Sequence, residues 1–183
     1  ASDAAAGTLY RPMVSPQGFG GTRFAPLFIV LQAGLIKVGV PPLAAGHGLG
    51  VLLMILLAAG AAVWVRRIGL AWPMAIALAG AILASDTVRA LLSDVRGDTL
   101  AAALCVWALA LWQRDSSGKH AHWGIVAILL ALAWASKLTT VYGLAAAVGV
   151  AWFDGRRIRG TFLLLATLAL TAGLYALAQL ASG

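Results

Sequence analysis

The sequence predicts an all-α fold, a polytopic bundle of transmembrane helices, and three observations predict it. The chain has 183 residues, is 62% hydrophobic and only 10% charged, more apolar surface than a soluble domain of this size can hide. Its hydrophobic mass is mostly Ala, Leu, Val and Gly, with 21 glycines, and small residues let helices approach closely in lipid. Long apolar runs alternate with short basic turns, so the net charge of +7 reads as a topology signal rather than as affinity for nucleic acid. The single Cys105 lies inside an apolar run, which excludes an internal disulfide and a cysteine metal cluster.

Residues 1–22 are rich in Gly and Pro and read as an extramembrane loop. The apolar run Phe24–Val40 is 17 residues long and stops at Pro41-Pro42. That length allows a span or an interfacial helix, and the flanking breakers favour a re-entrant or interfacial one. Leu43–Val65, closed by Arg66-Arg67, is the firmest span. Leu70 to about Ser85 follows, with room to continue helically to Leu92. Thr99–Trp112, Trp123–Ser136, Leu138–Phe153 and Thr161 to about Ala181 complete the series, giving about six spans. One domain is expected, with an outer loop and interfacial helix over 1–42 and spans over 43–183. The N-terminus lacks a starting Met and a signal sequence, so the chain reads as an internal piece of a longer protein.

The loops at 66–69, 113–122 and 154–160 hold seven of the 13 Lys and Arg residues in short segments. That density predicts a cytoplasmic side, and Trp64, Trp112, Trp123 and Trp152 beside these loops fit interfacial anchors. Residues 1–42, the segment Asp86–Asp98 and Lys137 should then share the opposite face.

That face collects the scarce acids. Glu is absent, and Asp86, Asp94 and Asp98 are three of the six acidic residues. Ionisable groups at a membrane edge mark a site by default. Asp94 and Asp98, four apart, can share a helix face and bind a divalent cation or act as general base. Asp98 also reads as an N-cap of the helix that follows, and Asp86 with Arg89 as a local ion pair. Lys137 can hold a phosphate or snorkel to the interface. Arg11, Arg23 and Tyr10 offer cationic and aromatic surface, or plain interfacial anchoring. His47 is a candidate ligand or a structural residue at the start of a span; His120 and His122 read as solvated. No phosphate-cradling glycine loop, zinc motif or serine nucleophile motif is present.

Three segments carry a resemblance. They are Gly7-Thr-Leu-Tyr10 through Arg23-Phe-Ala-Pro26-Leu, Asp94-Val-Arg96-Gly97-Asp98-Thr-Leu, and Trp134-Ala-Ser-Lys137-Leu-Thr-Thr. They resemble, in order, the end of the first outer loop, an "Arg-Pro-Asp" span start with Gly97 for Pro, and a "Leu-Thr-Lys" corner with Ser136 for Thr. The family is the GT-C superfamily of membrane glycosyltransferases that use polyprenyl-phosphate sugars, such as protein O-mannosyltransferases and the lipid A aminoarabinose transferase. The resemblance implies inverting transfer of a sugar from a lipid-linked donor to a lipid, glycan or protein acceptor on the outer face of a bacterial inner membrane. It implies an acidic role for Asp98 and Asp94, with Asp98 as ligand of a divalent cation (Mg or Mn). It further implies that Lys137 neutralises the carrier phosphate with support from Arg96; Tyr10, Arg23 and His47 are substrate-binding candidates from the residues themselves. Relatives carry a catalytic acidic pair early in the first outer loop, which this chain lacks, since Asp3 has no acidic neighbour. They often have Arg near the position of His47. A transporter component and a non-catalytic scaffold subunit are the rival expectations.

Overall fold

The computed structural model describes residues 5–7, 14–15, 18–19, 26–85, 97–114, 122–137 and 140–182. Seven helices make up nearly all of it: α1 (Pro26–Lys37), α2 (Pro42–Arg67), α3 (Trp72–Ala84), α4 (Asp98–Arg114), α5 (Trp123–Ser136), α6 (Val141–Phe153) and α7 (Arg157–Ser182). Ahead of them, β1 (Val14–Ser15) and β2 (Gly18–Phe19) pair antiparallel, Val14 opposite Phe19. Apart from this short strand pair, the described residues form the helical bundle expected from composition.

Each helix follows an apolar run, and the breakers set its ends. Pro42 and Pro73 sit at the openings of α2 and α3, where the missing N–H costs nothing. Gly39 and Gly155 close α1 and α6 in left-handed conformations, with φ of 94° and 76°. Around Gly155, the Arg156 N–H donates to Ala151 O and the Gly155 N–H to Trp152 O, the paired bonds of a Schellman turn. This turn is tighter than the loop expected over 154–160, so Arg157 and Arg159 lie inside α7 rather than before it.

Two helices, Pro42–Arg67 and Arg157–Leu180, have the length and apolar composition to cross a membrane. The other five are shorter apolar helices; the 13 residues of α3 rise only about 20 Å. α1, with 12 residues, is shorter than the run Phe24–Val40 suggested. It packs beside the first turns of α2, with Phe28 against Leu49 and Leu53 and the Gln32 side-chain amide donating to Pro42 O at 3.2 Å. The expected helical continuation beyond Ser85 lies outside the described residues.

Apolar side chains line both the interior and the exterior of the bundle. Small residues fill the contacts: Ala58 and Ala62 of α2 meet Ala75 and Ala79 of α3, and Ala108, Ala133 and Ala147 are wholly buried. The principal core joins α4, α5, α6 and α7 through Cys105, Val126, Leu130, Leu144 and Leu163. Further large aliphatic side chains point outward, among them Leu52, Ile55, Ile76, Ile128 and Leu165. Close approach through small residues with an apolar exterior is the packing that lipid permits.

The bundle has two chemically different ends. Arg66 and Arg67 close α2, and the Arg67 guanidinium hydrogen-bonds to Ala110 O near the end of α4. At that same end the Trp123 ring packs edge-on against Phe162 at 5.7 Å and 82°, beside the Arg156–Arg159 corner. Asp98 opens α4 at the other end.

Candidate functional site

The start of α4 and the end of α5 meet because position 97 has no side chain. A Cβ on Gly97 would stand 2.7 Å from the Ser136 carbonyl oxygen and 3.3 Å from the Phe28 Cβ. This close approach joins α1, α4 and α5 at one junction, sealed beneath by Phe28, Leu53 and Leu100.

Asp98 is the first helical residue of α4. The Gly97 carbonyl, not that of Asp98, accepts the Ala101 N–H at 3.0 Å, so Gly97 is the residue preceding the first turn. This corrects the expectation that Asp98 caps the helix. Its carboxylate still faces the positive end of the helix dipole, and it forms an ion pair with the Lys137 ammonium. Lys137 ends α5 in extended conformation, φ −158° and ψ 122°, which swings its side chain out of the helical path. The pair is open on one side, with Lys137 43% and Asp98 20% exposed.

Thr140 holds the corner after α5. Its hydroxyl lies within donating distance of Lys137 O (2.6 Å) and Ala133 O (3.0 Å), and its N–H donates to Lys137 O at 3.1 Å. Ser136 turns inward, its hydroxyl donating to Leu132 O at 2.7 Å, and is buried. Lys137 therefore projects from a fixed backbone toward Asp98. Sequence reasoning missed Thr140, and the available signal was a hydroxyl three residues after Lys137 at the turn between two apolar runs.

Of the residues singled out from the sequence, Asp98 and Lys137 come together. His47 is an exposed residue near the start of α2, and no described contact joins it to the pair. Asp94, Arg96, Tyr10 and Arg23, with the Asp86–Arg89 pair, lie outside the described residues. Among the described residues no three of His, Cys, Asp and Glu cluster to hold a metal. Mg is held through one or two carboxylates completed by waters and phosphates, and Asp98 is the carboxylate described at this end, paired with an ammonium. Cys105, buried in the principal core, plays no part at this end.

No protein-family model, curated protein or solved structure matches the chain.

Proposed function

We propose that this chain is an integral membrane protein of about six spans in a bacterial inner membrane, with its arginine-rich end in the cytoplasm. In this reading it is a glycosyltransferase unit that moves a sugar from a polyprenyl-phosphate donor to an acceptor at the opposite face. The observation that carries the reading is the Asp98–Lys137 ion pair. It stands at the end away from the basic turns, on two of the three segments that resemble the GT-C enzymes.

The chemistry follows from charge. The acceptor hydroxyl attacks the anomeric carbon, the bond from that carbon to the phosphate oxygen breaks, and the hydroxyl proton passes to a carboxylate base. The leaving phosphate gains negative charge, which Lys137 offsets as a partly desolvated point charge. In the resting state Asp98 holds the ammonium in place. An arriving phosphate shares or takes over that contact, so Asp98 keeps a free cation from facing lipid. Asp94, four residues before Asp98, remains the second candidate acid, with Arg96, Tyr10, Arg23 and His47 as candidate donor contacts.

A transporter would carry ionisable groups near mid-membrane. The described Asp, Lys and Arg residues stand at helix ends and turns instead, which disfavours that rival. A scaffold subunit would use the same ion pair only to lock α4 against α5. Transfer from a radiolabelled polyprenyl-phosphate sugar in membranes separates the two. Asp98→Ala abolishes transfer in the enzyme while the protein still inserts; a variant with unchanged transfer assigns the pair to structure.

A further inference from the structure

A second feature lies at the arginine-rich end. A groove of about 490 Å³ opens between α6 and α7, lined by Gly149, Trp152, Phe153, Arg157 and Thr161. Its two halves differ in chemistry. Gly149 leaves open space, with nothing within 4 Å of where a Cβ would sit, and Phe153 is 95% exposed; together they make an apolar track. Arg157 and Thr161, one turn apart on α7, supply a cation and a hydroxyl. The Trp152 ring packs on Gly160, where an added Cβ would stand 2.7 Å from it. The surrounding corner carries Arg156, Arg157 and Arg159 against the lone Asp154, so it is net cationic.

We propose that this groove binds one anionic phospholipid, its phosphate on Arg157 and Thr161 and an acyl chain along Gly149 and Phe153. Charge complementarity selects the occupant. Basic pockets between helices at the cytoplasmic leaflet take anionic headgroups, and the apolar track gives a lipid tail what a free anion could not use. The inference rests on the membrane reading above and is independent of the glycosyltransferase reading.

The test reconstitutes the full chain in vesicles of phosphatidylethanolamine and phosphatidylglycerol, then counts co-purifying lipids by native mass spectrometry. Arg157→Gln lowers retained phosphatidylglycerol relative to phosphatidylethanolamine about five-fold. Gly149→Leu lowers it as well by filling the track, with every arginine intact. Arg66→Gln, at the same end but outside the groove, leaves it unchanged. Equal retention in wild type, Arg157→Gln and Gly149→Leu overturns the proposal, as does an equal fall in Arg66→Gln. Excess inorganic phosphate that strips the lipid shows a free-anion site and overturns it too. Insertion is scored on the same vesicles: protein that stays out of the bilayer sinks the membrane reading, whereas inserted protein without lipid preference sinks this proposal alone.

Discussion

Gly97 and Ser136 approach so closely that a single added carbon at position 97 would sit 2.7 Å from the Ser136 carbonyl oxygen. The obstacle is backbone, which cannot swing aside as a side-chain tip can. Glycine is therefore what lets α4 start against the end of α5, and the Asp98–Lys137 pair depends on that approach.

Gly97→Ala should destabilise the bundle by about 1–3 kcal/mol, as overpacking does. Thermal unfolding in detergent measures it. The same change should draw the start of α4 away from the end of α5, read as a fall in cross-linking between cysteines placed at 98 and 137 in a Cys105→Ala background. Unchanged stability and cross-linking would mean that the junction is looser than described.

The ion pair itself should contribute little to stability. Both partners are partly exposed, and such pairs couple by about 0.2–1 kcal/mol in double-mutant cycles. Asp98→Asn, Lys137→Met and the double variant should therefore all fold, while donor binding falls sharply. A coupling several times larger would point to a structural clamp.

Thr167 gives a contrasting prediction. It is fully buried in α7, and its hydroxyl has no hydrogen-bond partner among the described residues. Burying an unpaired polar group is costly, so Thr167→Val should be neutral or raise stability by about 1 kcal/mol. Leu163→Ala, at the wholly buried neighbour one turn earlier, should cost about 2–5 kcal/mol. A large loss in Thr167→Val would reveal a partner for that hydroxyl.

Orientation is open to cysteine labelling. In a Cys105→Ala background, cysteine at Arg66 or Phe153 should react with a membrane-impermeant maleimide only from the cytoplasmic side. Cysteine at Lys37 should react only from the opposite side. The reverse pattern would invert the proposed topology.

Much of the helical layout is legible in the sequence because each element is an apolar run between breakers. Trp123–Ser136 is a helix with the expected limits, and Arg66-Arg67 ends α2 where basic residues mark an interface. Helix ends at basic turns are less legible. Arg157 and Arg159 look like loop residues, yet Gly155 turns the chain so tightly that α7 starts at once. The meeting of Asp98 with Lys137 was legible only as a shared face. Alternation of spans puts them at one end, but direct contact depends on the absent side chain at Gly97, which charge patterns do not report.

The central claim is that Lys137 and Asp98 receive a lipid-linked phosphate, and equilibrium binding of a labelled polyprenyl-phosphate sugar to the purified protein tests it most directly. Wild type should bind, and Lys137→Ala and Asp98→Ala should each bind at least about ten-fold more weakly, as loss of a charge-assisted phosphate contact or of its support implies. Absence of binding by well-folded wild-type protein, or equal binding by all three, would contradict the account.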